Sequence, residues 1–526
     1  MSLPASLSAL NRAELEALVV ELMSMVSTHT RMIAELRAEI ASLKGLKGPP
    51  ALKPSGMENA TQPPRPGKGE PRPRRGKIRP RVAIEERVLK AAAPAGSRFK
   101  GYETYLVQEL VLSVHAVRYR RERWVTPDGQ TIVAPLPAGI SGHFGPGMRR
   151  FVLMQYHHGQ STLPRVTALL RSVGVSISRR QTQRLLTEGH DGFIGEARDV
   201  LRAGLATSPW ISVDDTGARH RGKNAFCTQI GNDQFTAFAT RSSKNRMNVL
   251  ELLRAGHTDF VLNDAAFAYM RDNAVTEAVV ARLAGHAETS FADRPAWEAH
   301  LNRLGLVVRN VSPDPVTIAT EGALWGSIHA HGFLRNAVVL SDDAGQFNVG
   351  LHALCWVHAE RLVYRLEAFT DHNRTAQQRI RGLIWRFYAS LKAYRDSPSA
   401  SRRLTLRARF DRIFRSRTGF VTLDRLLKRL HAKKVELLRV LDHPQTPLHT
   451  NGSENDIRAH VTRRKVSAGT RSDLGRDCRD IFLALTKTCA KQGVTFWDYL
   501  GSRLRVPGCA VIPPLDEYVR RRAAHA

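Results

Sequence analysis

The sequence predicts an α/β protein built on a mixed sheet with helices and a helical insertion. Two apolar segments each end in acidic residues, a β-rich meander follows the first, and residues 361–445 are almost purely helical and basic. At 526 residues the chain has room for several domains and at least one large core.

The charge of the chain indicates a polyanionic partner. Lys and Arg number 79 against 48 acids, so the formal net charge is +31. Neutralising phosphates with such side chains releases counterions, which favours a nucleic acid. No apolar run approaches the roughly 20 residues of a membrane-spanning helix, so we expect no membrane partner.

Cysteine usage and the N-terminal composition indicate the compartment. The 5 cysteines are scattered without a C-x-x-C pair, which argues against a disulfide scaffold and against a zinc ribbon. Acids lie among the N-terminal leucines, so a signal peptide is not predicted. We therefore expect a reducing, cytoplasmic environment.

The N-terminal region predicts a coiled-coil helix over 1–45 and a basic, Pro/Gly-rich linker over 46–98. Apolar positions alternate at spacings of four and three from Leu15 to Leu43, which is typical of a coiled-coil seam. A helix isolated by such a linker has little of its own chain to pack on, so we predict a homo-oligomer. The tract 71–81 could lie on phosphates or be a solvated linker.

Residues 99–144 predict a helix followed by a β-hairpin. The helix is expected over 102–117, and the hairpin is expected to turn at 127–129, Pro-Asp-Gly, between two β-rich segments. Proline fixes φ and glycine tolerates a positive φ, so this tripeptide favours a tight turn.

Residues 145–205 predict a helix-turn-helix region. One helix, 162–173, stops at Gly174, and Ser178 caps a second helix over 179–186. The second helix carries the residues that we predict to contact DNA, namely Arg179, Arg180, Gln183 and Arg184. Helical pairs of this kind also occur as plain packing units, so both interpretations stay open.

Residues 206–360 predict the α/β core, with an insertion over 256–335. Its first strand begins at Trp210 and runs into Asp214 and Asp215. Two β-rich segments follow, 226–230 and 235–239, which makes a meander. A carboxylate on such a strand could equally belong to an ordinary acidic turn, so further acids are needed to define a site.

A second apolar strand over 336–340 ends in Asp342 and Asp343, and another strand is predicted over 352–357. The remaining segments are predicted as a helical insertion over 361–447, C-terminal catalytic helices over 448–510 and a basic tail over 511–526. Glu454 lies near the start of a helix, with Asn451 or Ser453 as a plausible cap. An ion pair with Arg458, four residues on, would be an ordinary structural use of Glu454.

The candidate acids are thus Asp214, Asp342 or Asp343, and Glu454, in a strand–strand–helix order. This order resembles polynucleotidyl transferases of the ribonuclease-H-like fold, in which carboxylates on a rigid sheet hold metal against a phosphate. Two Mg²⁺ or Mn²⁺ ions about 3.5–4 Å apart would activate a nucleophile and stabilise the leaving oxygen. Carboxylates suit this task because Mg²⁺ prefers hard oxygen donors.

The motifs resemble those of the Insertion Sequence 66 family of transposases, within the DDE (Asp-Asp-Glu) group. Matches to the family's D-E-T, L-x-x-D-G-Y-A-G-Y-N, C-W-A-H-x-R-R and N-N-x-x-E-R-x-I-R motifs occur at 214–216, 340–348, 355–361 and 450–458. A downstream family segment is echoed from Arg464-Lys465 through Gly469-Thr470 to Gly475. The resemblance covers roughly residues 100–515.

The resemblance implies a bacterial DNA transposase, cytoplasmic and close to the nucleoid, that cleaves and transfers strands at an insertion sequence's terminal repeats. It implies metal ligands at Asp214, Asp342 and Glu454. Further DNA contacts are predicted from Arg458, Arg464 and Lys465. The alternative is a non-catalytic DNA-binding regulator derived from a transposase.

Three choices among acids stay open at this point. Strand alternation puts Asp214 and Asp215 on opposite faces, and both faces of such a sheet are buried, so the family match alone favours Asp214. Asp342 is preferred to Asp343 by that match. It is preferred to Asp264, another acid after an apolar run, because Asp342 lies close before the C-W-x-H block.

The chain also departs from the family. The cysteine-based zinc ribbon that commonly precedes its helix-turn-helix is missing, and Asn455 replaces the arginine after the glutamate. Cys355 and His358 are of the right types for a metal, but two ligands do not close a zinc site. We predict instead that His358 is a packed polar residue that could orient a catalytic acid.

Overall fold

The computed structural model of the chain describes residues 16–26, 57, 83–137, 142–308 and 314–524. The chain divides into two compact units, residues 1–60 and 61–526. In the first unit residues 16–26 are helical, as the heptad pattern predicts, and Val19 and Leu22 of the seam are exposed. The rest of the predicted coiled coil and the tract 71–81 lie outside the described residues.

The described strands are β1 Arg123–Val125, β2 Thr131–Val133, β3 Trp210–His220, β4 Lys223–Gly231, β5 Thr236–Arg241, β6 Phe260–Val261, β7 Ser290–Phe291, β8 Val338–Ser341 and β9 Leu351–Leu354. The pair β1–β2 is the predicted hairpin. Five strands form one mixed sheet in the order β5-β4-β3-β8-β9, in which β3, β4 and β5 are antiparallel and β8 and β9 run parallel to β3. This confirms the predicted α/β class with a mixed sheet.

The described α-helices are α1 Pro146–Leu153, α2 Leu163–Ser172, α3 Arg179–Thr187, α4 Asp191–Thr207, α5 Arg246–Leu253, α6 Asp264–Asp272, α7 Glu277–Ala284, α8 Arg294–Arg303, α9 Pro315–Ala330, α10 Trp356–Tyr364, α11 Asp371–Asp396, α12 Ala400–Phe414, α13 Val421–Ala432, α14 Lys434–Leu437, α15 Asn451–Ser467, α16 Asp473–Lys491, α17 Phe496–Arg503 and α18 Leu515–Ala524. The segment predicted as a basic tail therefore contains a helix, α18, whose Leu515 and Val519 are buried. None of the described helices combines the length and the apolarity needed to cross a membrane.

The meander follows from local chemistry. The turn between β4 and β5 is closed by Asn232, whose N–H donates to the Phe235 carbonyl oxygen (3.1 Å) and whose side-chain oxygen accepts from the N–H of Gln234 (2.8 Å). Gly231 precedes it because a Cβ there would collide with the Phe235 carbonyl. The turn thereby sets the antiparallel register that continues along β4 and β5.

Two clusters cover the two faces of the sheet. Ile211 and Val213 of β3 pack into the large core with the helices that precede and follow the meander. Ala218 and Cys227 lie on the other face, against Ile457 of α15 and neighbouring residues of α16. The two sides of β3 are thus buried by different parts of the chain.

Three local predictions were wrong. Residues 102–117 have no regular secondary structure, and Tyr105 and Leu110 are 92% and 78% exposed. Helices of this length draw most of their stability from tertiary packing, and these side chains have none to draw on. The strand β3 also does not end at the acids, because pairing with β4 continues to His220.

The third wrong prediction concerns the segment 352–357. The strand β9 ends at Leu354, and α10 begins at Trp356. The Trp356 ring packs against Phe387, Phe410 and Phe414 of the helical insertion, and its Nε1 donates to the Leu437 carbonyl oxygen (2.9 Å). That aromatic cluster draws the tryptophan out of the sheet and into a helix.

Candidate active site

Asp214 faces the helix that carries Glu454. The Ser212 hydroxyl lies 2.6 Å from the Ser453 hydroxyl of α15, and both serines are buried. Because side chains alternate along a strand, Asp214 shares the face of Ser212. Asp214 is therefore directed toward α15, whereas Asp215 is on the face of Ile211 and Val213.

Asp342 lies beside Asp214 at the neighbouring strand. In the parallel pair β3–β8, Ser212 is opposite Leu340, so the same register continued by two residues sets Asp214 opposite Asp342. Asp342 follows the last residue of β8, and its Oδ1 accepts from the Ala344 N–H (3.1 Å). Asp343 is instead exposed, with Oδ1 3.6 Å from Lys433 Nζ.

Glu454 lies in the first turn of α15 and is held by α10. Its Oε1 is 3.1 Å from Arg361 Nη1 and 3.8 Å from His358 Nε2. The predicted caps were wrong: Thr450 is the N-cap residue, because the helix already begins at Asn451. An ion pair between Glu454 and Arg458 was the structural alternative. Glu454 instead pairs with α10, and Arg458 is exposed.

The pKa of Asp214 reflects its burial and its closeness to another acid. Burial and, to a smaller extent, the neighbouring charge of Asp342 together raise the pKa of Asp214 to about 6, although the hydrogen bond from the Asp215 N–H lowers it. Two carboxylates that repel each other in a partly buried site form an oxygen donor set that a divalent cation would stabilise. Asp214 and Asp342 thus offer oxygen donors of the type that a magnesium-type ion prefers.

Asp215 has different surroundings. Its side chain is 7% exposed, forms an ion pair with Lys244 and accepts a hydrogen bond from Gln346 Nε2 (2.8 Å). A buried carboxylate requires such partners, because its desolvation is costly. The negative charge of Asp215 is therefore neutralised within the chain.

His358 and Arg361 occupy one side of α10, three residues apart. Burial would lower the pKa of His358, but its hydrogen bond to Cys355 and the charge of Glu454 hold the pKa above its ordinary value. His358 also acts electrostatically on Asp214. The C-W-x-H-x-x-R motif thus directs two basic side chains at the cluster of acids.

Asp264 belongs to another part of the fold. It is exposed in the first turn of α6 and follows β6, whose partner is β7 in a separate two-stranded sheet. Asn263 caps that helix by accepting from the Ala266 N–H (3.0 Å). The position of Asp264 is that of a helix-terminal acid, which is favourable there by itself.

The residues predicted to contact DNA are mostly exposed. In α3, Ser178 and Gln181 form a capping box, Thr182 and Leu186 are buried, and the exposed residues are Arg179, Arg180, Gln183 and Arg184. Arg458 and Lys465 are exposed on α15. Arg464 is half-buried and donates from Nη1 to the Gly217 carbonyl oxygen of β3.

Some residues that contribute to the site were not predicted from the sequence. Lys244 and Gln346 were missed as partners of Asp215, and Arg361 was matched only as part of a motif. The spacing of His358 and Arg361, three apart, would have indicated a shared helix face had that segment been recognised as helical. Gly469 and Thr470 were likewise matched only as part of a motif, and their pairing with the end of β3 was not predicted: the Thr470 N–H donates to the Arg219 carbonyl oxygen (3.0 Å).

Two comparisons relate the chain to known proteins. A family model described as "Transposase IS66 family" matches residues 141–286 and 327–477. The protein y4jO of Sinorhizobium fredii, described as uncharacterized, is 48% identical over 314 residues, which make up 60% of this chain and 97% of that relative. The segments matched by the family model contain Asp214, Asp342 and Glu454.

Proposed function

The chain belongs to the IS66 family of transposases, and on this premise we propose that it cleaves and transfers DNA strands at the ends of an insertion sequence. The catalytic residues of the proposal are Asp214, Asp342 and Glu454. The observation that carries it is the placement of these acids: Asp214 faces the helix of Glu454 and lies beside Asp342 across a parallel strand pair. An antiparallel meander extended by two parallel strands supports a ribonuclease-H-like core.

The same three acids would hold Mg²⁺ or Mn²⁺, in two sites. When bound, the ions would supply Lewis-acid stabilisation of the charge that develops on the attacking and leaving oxygens. Burial, and then the charge of Asp342, raise the pKa of Asp214, and the repulsion between these two carboxylates supports this assignment because a cation would offset it. Asp215 is excluded from the proposal by its ion pair with Lys244.

Other side chains of the chain would position these acids. Arg361 fixes one oxygen of Glu454 at 3.1 Å and leaves the other oxygen for a ligand. Lys244 and Gln346 hold Asp215 on the opposite face, which fixes the backbone of β3 at Asp214. Orientation of this kind is needed because carboxylates must keep their geometry while the phosphate reacts.

DNA binding is assigned to the exposed face of α3. Arg180, Gln183 and Arg184 line an open concavity of that surface, and they can donate to base edges and phosphates. In a helix-turn-helix, α2 and α3 would read the terminal repeats. The N-terminal heptads would pair protomers into a homo-oligomer, which would bring two ends together.

The test is Mg²⁺-dependent cleavage and joining of linear DNA that carries the terminal inverted repeats flanking the gene. The Glu454→Gln variant keeps the shape of the side chain and loses its charge, so we expect cleavage to fall by about 1,000-fold or more with DNA binding unchanged. Glu367→Gln, at an exposed glutamate, is the matched control and should keep full activity.

Two outcomes would contradict the proposal in different ways. Full activity of Glu454→Gln would reject the assignment of the third acid. Salt-sensitive binding to the ends without Mg²⁺-dependent cleavage by the intact chain would instead identify a DNA-binding regulator.

A further inference from the structure

A thiol, an imidazole and a carboxylate meet beneath the sheet, on the side covered by α15 and α16. They belong to Cys227 of β4, His460 of α15 and Asp480 of α16, and they are 1%, 3% and 4% exposed. One donor atom from each lies within 4.8 Å of the other two. Three elements distant in sequence thus contribute one metal-ligating side chain each to a buried point.

We propose that Cys227, His460 and Asp480 form a structural site for a zinc-type divalent cation. Sulfur, nitrogen and oxygen donors on a single ion are typical of Zn²⁺, whereas Mg²⁺ is held by oxygen donors alone. A thiolate and a carboxylate together balance the charge of a divalent ion. This site is separate from the Asp214 cluster and does not rest on the proposed function.

The imidazole supplies an independent observation. His460 Nδ1 is buried, and within the described part of the chain it has no hydrogen-bond partner. A buried polar nitrogen without a partner is costly, and coordination would satisfy it. Because His460 is only 3% exposed, solvent does not satisfy this nitrogen.

The carboxylate ligand is oriented by Thr240 of β5. Asp480 Oδ2 accepts from the Thr240 N–H (2.7 Å), and Oδ1 accepts from its hydroxyl (3.1 Å), so the carboxylate has a fixed orientation. Binding of a cation to the Cys227 sulfur would release the thiol proton.

The surroundings leave room for a fourth ligand. A cavity of about 10 Å³ is lined by residues that include His460, Asp480 and Thr240, which is the space of about one water molecule. The Arg479 guanidinium, which also lines this cavity, donates to the Ala468 carbonyl oxygen (3.1 Å). The cation would join β4 to α15, the helix of Glu454, and to α16.

The first experiment measures zinc in the full-length chain after dialysis against metal-free buffer, by elemental mass spectrometry. We expect about one zinc ion per chain, falling below about a tenth of that in Cys227→Ala. Cys489→Ala is the matched control, because Cys489 is also fully buried and is not part of the cluster. Asp214→Asn should keep the zinc, which separates this site from the catalytic proposal.

The second experiment titrates the metal-free wild-type chain with Co²⁺. A thiolate ligand predicts a near-ultraviolet charge-transfer band that is lost in Cys227→Ala and kept in Cys489→Ala. Because the wild-type spectrum decides by itself, misfolding of the Cys227 variant would not obscure the result. A wild-type chain that binds no zinc and shows no thiolate–cobalt band would overturn the proposal.

Discussion

The two faces of β3 carry adjacent carboxylates in opposite surroundings. Asp215, on the face of the large core, is paired with Lys244 and hydrogen-bonded by Gln346. Asp214, on the face of α15, lies beside a second carboxylate, Asp342, and its pKa is raised by burial and then by the charge of Asp342. The difference indicates that one acid stabilises the fold while its neighbour is left with a charge that suits a cation.

The largest effect is expected when each of the two acids is neutralised in turn. Asp214→Asn should lower Mg²⁺-dependent strand cleavage by at least about 1,000-fold, because it removes an anionic ligand. Asp215→Asn should keep measurable cleavage. If Asp215→Asn is the inactive variant and Asp214→Asn is active, the two faces have been assigned the wrong way round.

A second prediction concerns the residue that holds Glu454. Arg361→Gln should lower cleavage about 10- to 100-fold and raise the Mg²⁺ concentration needed for half-maximal activity, because a ligand loses its orienting partner. The free energy of unfolding should change little. Arg365→Gln, at an exposed arginine that follows α10, is the control, and an equal effect there would remove the case for positioning.

On the opposite face of β3, we expect a substitution to change the stability of the fold rather than the activity. Lys244→Met leaves the buried charge of Asp215 with Gln346 alone, and we expect the free energy of unfolding to fall by about 1–2 kcal/mol. Urea unfolding measures this change. The double variant Lys244→Met/Asp215→Asn should recover most of the loss, and a failure to recover would mean that the ion pair is not the cause.

The smallest effect is expected where α15 contacts β3. Ser453→Ala removes the buried hydroxyl next to Ser212, and the expected cost is about 1 kcal/mol of unfolding free energy. Ser401→Ala, at an exposed serine of α12, should be neutral by comparison. Equal stability of the two variants would show that the serine contact does not hold the helix to the sheet.

Local sequence patterns were sufficient where neighbouring residues decide the structure. The meander was predicted from β-rich segments and the turn residues 231–233, and α3 was predicted from its cap Ser178. The family was also predicted from its motifs. These elements depend on backbone hydrogen bonds and caps within a few residues, which the sequence contains in full.

Sequence patterns predicted the wrong structure where residues distant in the chain determine it. The segment 102–117 has helical periodicity but no surface to pack on, and the apolar run at 352–357 is divided between strand and helix by aromatic residues of the insertion. The aromatic residues that divide the second segment lie far from it in the chain. Propensity is overridden in such places by packing that only the folded chain supplies.

That β3 carries acids on both faces follows from its residues alone, because side chains alternate along any strand. Which face α15 would cover was decided only by the tertiary structure, through the contact of Ser212 with Ser453. The choice of Asp214 as the catalytic acid stays a prediction, but its support has changed from a motif match to a geometry. The physical reason is that both faces are apolar enough to be buried, so periodicity alone cannot tell which helix packs on which side.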